Sequence, residues 1–183
     1  MFIWIDLEMT GLNLNIDRIL EIAVVITDVN LKILYPGMTY SVYQKKKILN
    51  HMNSWNYNTH TNNGLIDKVQ HSTLNELQIE ILLLNFLKLH IPPNTSPMCG
   101  NSIYQDRRFL SKYMPRLEKY FHYRNIDVSS FKEIIKQWYP DIFIKLKKKQ
   151  QHRAIDDIYE SIRELQFYKK FVLKQIKNID NST

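Results

Sequence analysis

Asp6 and Glu8 stand two apart in the run Phe2-Ile3-Trp4-Ile5-Asp6-Leu7-Glu8. In an extended strand that spacing sends both carboxylates to one face and leaves Ile3, Ile5 and Leu7 on the other. Two neighbouring carboxylates repel, and a divalent cation that prefers oxygen ligands, such as Mg²⁺ or Mn²⁺, makes the pair tolerable. The competing reading is a solvated acidic pair on an open strand. Asp106 follows the stretch ending Cys99-Gly100-Asn101 and opens a helical pattern, so it falls at a strand-to-helix junction, where α/β proteins gather ligands. An acid there also simply favours the helix dipole. His152 and Asp157 are five apart and would lie on different sides of one regular helix. His152 therefore precedes the helix that carries Asp157, which lets a base and a metal ligand converge. Taken alone, a histidine near a helix start is more often an ordinary surface residue.

These side chains need elements to hold them. Met1 to Glu8, Ile19 to Asp28, Leu31 to Tyr35 and Thr39 to Tyr43 are rich in β-branched and aromatic residues and predict a meander of strands. Asp28-Val29-Asn30 and Pro36-Gly37 supply turns between them. Beyond Gly64 the period changes, and Leu74 to Leu89 reads as a helix stopped by Ile91-Pro92-Pro93. Ser96 to Gly100 then reads as a short strand, Gln105 to Tyr120 as a helix and Asn125 to Val128 as a strand. Ser129 to Trp138 reads as a serine-capped helix, and Ala154 to Lys174 as the last long helix. Asn53 to Gly64 reads as a loop, and the lysine-rich stretch Lys145 to Gln151 as a mobile one. Strands first, then strand and helix in alternation, predict an α/β fold whose mixed sheet is flanked by helices. A chain of 183 residues suits one core, so residues 1–176 are expected to form a single domain and 177–183 a flexible tail.

The net charge of +7 and a pI near 9.3 favour an anionic partner, nucleic acid first. The abundance of Lys, Asn and Ile equally fits an AT-rich genome with a basic proteome. The single cysteine, Cys99, forms no disulfide within the chain, and no charged-then-apolar signal opens it, so a cytoplasmic setting is expected. The apolar runs around Ile22 to Ile26 and Ile81 to Leu84 are far shorter than the roughly 20 residues of a membrane helix, and no membrane partner is expected.

Taken together, Asp6-x-Glu8, Asp106 and His152-x-Ala154-x-x-Asp157 resemble the DEDDh exonuclease superfamily. Four further runs narrow the likeness: Trp4-Ile5-Asp6-Leu7-Glu8-Met9-Thr10-Gly11-Leu12, Cys99-Gly100-Asn101-Ser102-Ile103, Gln105-Asp106-Arg107-Arg108-Phe109-Leu110 and Tyr120-Phe121-His122-Tyr123-Arg124 are similar to the oligoribonuclease family. The resemblance runs from Phe2 to about Phe171. It implies an RNase H-like fold, with Asp6, Glu8, Asp106 and Asp157 as ligands of two divalent ions, Mg²⁺ or Mn²⁺, and His152 as the base that takes a proton from the attacking water. It implies 3′→5′ hydrolysis of very short RNA, dinucleotides above all, to 5′-mononucleotides.

The same resemblance implies a substrate set. Leu12 wedges between two bases, Trp55 and Tyr123 stack on them, and Ser102, Arg124 and Ser129 cap the 5′ phosphate. His60 joins this set, with loop packing as its alternative. A homodimer is implied, in which the segment around Tyr123 reaches the partner's site, and Tyr123 is counted with His152 among the catalytic residues. Each has a structural rival: Leu12 as ordinary packing, Trp55 as an anchor of its loop, Tyr123 as cover for the sheet. Two positions depart from the family pattern. Tyr104 stands where a small residue, usually glycine, is expected, and Asn63 replaces a serine before Gly64. The competing functions are a DNA-directed or tRNA-trimming exonuclease with the same metal site, a different metal-dependent phosphoesterase, and a nucleic-acid-binding module without activity.

Overall fold

The apolar residues of β1 (Phe2–Met9) divide between two cores, and this division organises the fold. Ile3, Ile5 and Leu7 enter one core, while Trp4 enters the other from the opposite face, as the two-residue period of a strand requires. β2 (Ile19–Thr27) is buried along its whole length because it feeds both: Ile22, Val24 and Ile26 join the first core, Ala23 and Val25 the second. The computed structural model describes residues 1–145 and 153–173. The expected base His152, nearly all of the lysine-rich stretch and the 177–183 tail lie outside the described residues.

Five strands form one mixed sheet in the order β3-β2-β1-β4-β5, where β3 is Ile33–Ser41, β4 Met98–Gly100 and β5 Asn125–Asp127. β1, β2 and β3 are antiparallel neighbours, and β4 and β5 continue the sheet parallel to β1. The register sets Asp6 opposite Ala23 and Glu8 opposite Glu21.

Between β3 and β4 come α1 (Lys46–Leu49), α2 (Ser54–Asn62), α3 (Leu65–His71) and α4 (Glu76–Lys88). Asn75 caps α4 with a reciprocal capping box: its side chain accepts the Gln78 N–H and the Gln78 side chain accepts the Asn75 N–H. α5 (Ile103–Tyr113), α6 (Pro115–Glu118), α7 (Val128–Trp138), α8 (Pro140–Phe143) and α9 (Ala154–Tyr168) follow. α4 and α5 cover the first core through Ile79, Leu83, Phe109 and Leu110, and α7 and α9 cover the second through Ile135, Ile158 and Ile162. Among the described residues no helix is long and apolar enough to cross a membrane.

Several expectations are corrected. Pro36-Gly37 is not a turn: β3 runs through it, with its register to β2 slipping across the pair, between Met38 and Tyr35, and again between Tyr35 and Ile33. β3 is an edge strand, where a proline can lack an N–H without losing a ladder bond. The segment expected as a loop at Asn53 to Gly64 is mostly α2, whose only buried residue is His60, so no apolar stripe betrays it. The helix expected over Gln105 to Tyr120 breaks at Met114, which sits at φ −140° because the following proline disfavours helical backbone there. Asp127, not Ser129, caps α7 by accepting the Ser129 N–H. The last helix changes at Lys169 into a single π-helical turn, Lys169–Leu173.

Gly100 allows the closest approach of β4 to the strand that carries the acids. A Cβ there would lie 2.9 Å from the Ile5 carbonyl oxygen and 2.9 Å from Ile103 Cδ1. Backbone cannot yield as a side-chain tip does, so Gly100→Ala is expected to lower stability by about 1 to 3 kcal/mol. Urea unfolding followed by far-ultraviolet circular dichroism measures that loss as a shift of the midpoint.

Candidate active site

Asp6 and Glu8 emerge from β1 on the Trp4 face, which is the face α9 covers. Asp157, in the first turn of α9, descends onto the same spot, so that Asp6, Glu8 and Asp157 each offer a carboxylate oxygen within 4.8 Å of the others. Burial pushes the Asp6 carboxyl well above its usual range, and the negative charges of Asp106, Glu8 and Asp157 push it further. Burial likewise carries Glu8 up to about 8, with Asp157, Glu21 and Asp106 adding to the rise and the Arg153 guanidinium opposing it. At both acids burial and the neighbouring negative charges outweigh what lowers the pKa among the described residues. An all-oxygen donor set of this kind fits a hard divalent cation, whose positive charge would favour the ionised carboxylates.

Asp106 lies on the first turn of α5 and reaches β1 between the other two strand acids: its Oδ1 accepts the Leu7 N–H at 2.9 Å. Burial raises its carboxyl too, and that backbone bond pulls the other way. α5 is aimed by Ser102, whose backbone takes the left-handed conformation at φ 50° immediately before the helix. The structure thus brings four of the five expected residues to one end of β1.

The second group expected to meet substrate is divided: Ser102 and Ser129 lie at this end, whereas Tyr123 and Arg124 precede β5, whose first residue pairs with Met98 and so lies level with Ile3, toward the other end of the strands. Leu12, Trp55 and Tyr123 are 60%, 63% and 73% exposed, far more than side chains committed to packing. Ser102 and Ser129 are brought together: the Ser102 N–H donates to Ser129 Oγ at 2.6 Å and to Asp127 Oδ1 at 3.0 Å, and the two hydroxyls lie 3.1 Å apart. The Arg124 guanidinium sits 5.4 Å from the centre of the Tyr123 ring. His60 is buried instead, with Nε2 3.2 Å from the Met9 carbonyl, to which it must donate, and 4.0 Å from Glu8 Oε2. Four residues earlier on the same face of α2, Asn56 donates to the Thr10 carbonyl at 3.1 Å. α2 therefore grips the exit of β1 at two successive carbonyls.

The two departures have local accounts. Asn63 Oδ1 accepts the Leu65 N–H, covering an open donor at the start of α3 beside Gly64, whose φ is +75°. Tyr104 is exposed and its hydroxyl accepts a bond from the Gln105 amide, so it adds an aromatic surface without entering the core. Arg107 was not singled out by sequence. It donates to the His122 and Tyr123 carbonyls at 2.7 and 2.9 Å while its Nε holds Glu118, which fixes the backbone that presents Tyr123 and Arg124. Glu21 was also missed, although it is the one charged residue in β2 and is wholly buried.

Residues 3–165 match the RNase T exonuclease family. The oligoribonuclease of Nitrosomonas europaea is 54% identical over 168 residues, 92% of this chain and 93% of that protein. The oligoribonuclease of Wigglesworthia glossinidia brevipalpis is 57% identical over 94% of this chain and 92% of its own length. Among solved structures, Escherichia coli exonuclease I in complex with a dT13 oligonucleotide superposes with a TM-score of 0.73 at 13% identity, over 96% of this chain and 42% of that one. That likeness is one of fold, and the fold is RNase H-like α/β. With more than half of the aligned residues identical along nearly the full length of both relatives, the chain belongs to the oligoribonuclease family of exonucleases.

Proposed function

We propose that this protein is a 3′→5′ exoribonuclease that degrades very short oligoribonucleotides, dinucleotides above all, to 5′-mononucleotides. The observation that carries the reading is the meeting of the Asp6, Glu8 and Asp157 carboxylates within 4.8 Å at a half-buried strand end, in a chain of this family. The names of the relatives at 54% and 57% identity support short RNA as the substrate.

In this reading Asp6, Glu8, Asp106 and Asp157 hold two divalent ions, Mg²⁺ or Mn²⁺. When bound, such ions make water a stronger nucleophile and stabilise the leaving 3′-oxygen during in-line displacement. The remaining work belongs to the chain. His152 takes the proton from the attacking water, a task suited by the ordinary imidazole pKa near 6.5. Leu12 and Trp55 hold the bases, and Ser102, Ser129 and Arg124 receive the 5′ phosphate with their hydroxyls and guanidinium. Tyr123 stacks on a base and counts with His152 as catalytic, reaching the site from the second protomer of a homodimer. His60 serves the substrate end through the β1 exit that it holds. A 5′ cap limits the length of RNA that fits, so such a pocket selects length rather than sequence. Residues 1–176 act as one domain in the cytoplasm.

A time course with labelled RNA dinucleotide and Mn²⁺ tests this directly. The wild type is expected to release mononucleotide, Asp106→Ala and Asp157→Ala to release none, and His152→Ala to turn over about 10²- to 10⁴-fold more slowly. Trp55→Ala is expected to weaken dinucleotide binding by about 1 to 3 kcal/mol. An intact dinucleotide with longer strands trimmed would overturn the short-RNA reading, and cleavage of neither would leave a binding module.

The raised carboxyls also fix a pH dependence. Glu8 titrates near its ordinary value of 4.5 in the unfolded chain and at about 8 in the folded one. Between those values the folded protein holds a proton the unfolded chain has released, so stability falls as pH rises through that window. Melting of the metal-stripped protein is expected to show a Tm that drops from about pH 5 to about pH 8, with a shallower drop in Glu8→Gln. Added Mn²⁺ is expected to raise Tm most at the alkaline end, where protons no longer compete for the carboxylates.

A further inference from the structure

Glu21 is wholly buried on β2, directly across the strand pair from Glu8. Its carboxylate accepts the Arg153 guanidinium through two nitrogens, Nη2 at 2.8 Å and Nε at 3.2 Å, in the side-by-side geometry that Arg forms with a carboxylate. The same carboxylate also accepts the Ala154 N–H at 3.2 Å, one of the open donors at the start of α9. Arg153 reaches the Asn63 carbonyl with Nη1 at 3.5 Å, which ties in the α2–α3 junction. Its own carbonyl then accepts the Asp157 N–H at 3.0 Å. A continuous chain of bonds therefore runs from the strand residue opposite Glu8 to the backbone of Asp157.

We infer that Glu21 and Arg153 are positioning residues for the metal site, forming a clasp that sets where α9 begins and so holds Asp157 in register with Asp6 and Glu8. This rests on the proposed metal site and adds to it two residues that touch neither ion nor substrate. The clasp has an electrostatic side as well. Glu21 is a further buried acid beside the cluster, and its pairing with Arg153 commits it to a cation of the protein's own. A pair buried only to stabilise the fold would not need to stand at the first residue of the helix that delivers a ligand. Here the guanidinium, the helix N-terminus and the ligand are within one turn.

The test compares Mn²⁺ affinity of the substrate-free protein, measured by calorimetry, with Tm and with kcat and KM on RNA dinucleotide. In Glu21→Met/Arg153→Met the charges leave together, which buried pairs often tolerate when apolar groups of similar size replace them. This variant is expected to keep its fold while Mn²⁺ affinity falls roughly tenfold to a hundredfold, the usual effect of losing a group that orients a ligand. Its kcat is expected to fall with KM for the dinucleotide unchanged. Arg153→Lys, which keeps the charge and gives up the paired N–H geometry, is expected to lose Mn²⁺ affinity in the same direction, and it decides the matter should the double variant fail to fold. Wild-type Mn²⁺ affinity and kcat in the folded variants would overturn the clasp. Asp157→Ala run alongside separates the two readings: lost Mn²⁺ binding there with intact binding in the clasp variants sinks the clasp alone, while wild-type binding in Asp157→Ala sinks the metal site and the clasp with it.

Discussion

Like charges set side by side away from open water destabilise a fold unless something offsets them, and one end of this sheet concentrates five acids, Glu21 and Asp106 buried and the other three half-buried. The chain answers it differently at three of them. Glu21 is matched by Arg153, Asp106 by the Leu7 N–H, and Glu8 has His60 Nε2 at 4.0 Å. Asp6, Glu8 and Asp157 still face one another, and burial together with the neighbouring acids holds the Asp6 and Glu8 carboxyls above their ordinary range. Three carboxylate oxygens gathered this closely suit a divalent cation, and the reading of the site follows from that proximity.

Meeting that constraint requires two helices to arrive at one strand from different directions. α5 comes in behind the tight contact at Gly100, and Phe109 and Leu110 seat it in the first core. α9 is seated in the second core and latched in its middle as well as at its start. Asn101, at the end of β4, donates to Ser161 Oγ at 2.7 Å and lies 3.3 Å from Glu164, which in turn accepts the Tyr168 hydroxyl. Asn101 also accepts from Ser129, so the strand end beside the acids is shared between α7 and α9. The serine pair at the expected phosphate end and the acid cluster are thus parts of one bonded frame, with Asn101 at its centre.

Much of this was legible in the residues. Alternation alone put Asp6 and Glu8 on a common face, the Gly100-Asn101 strand end located Asp106, and the five-residue spacing placed Asp157 within a helix. What escaped did so for physical reasons. α2 is polar nearly all round and holds its place through Asn56 and His60 bonding to β1, which no periodicity reports. Pro36-Gly37 carries the composition of a turn, yet an edge strand absorbs it as an irregularity. Glu21 and Arg153 are 132 positions apart, and a pairing at that distance leaves no local mark beyond one charge in an apolar strand. His152 fell outside what the structure describes, so its part rests on the motif.

The irregular edge has a consequence of its own. A sheet with a bare, regular border offers a template on which another chain's strand can dock, and aggregation often starts there. β3 presents Pro36, which has no N–H to offer, and a register that slips across it and again before Tyr35, while β5 at the opposite border is only three residues long. Neither border is a regular ladder of useful length. The sheet is thereby discouraged from growing sideways, which protects a small, highly apolar strand core from polymerising with its own copies.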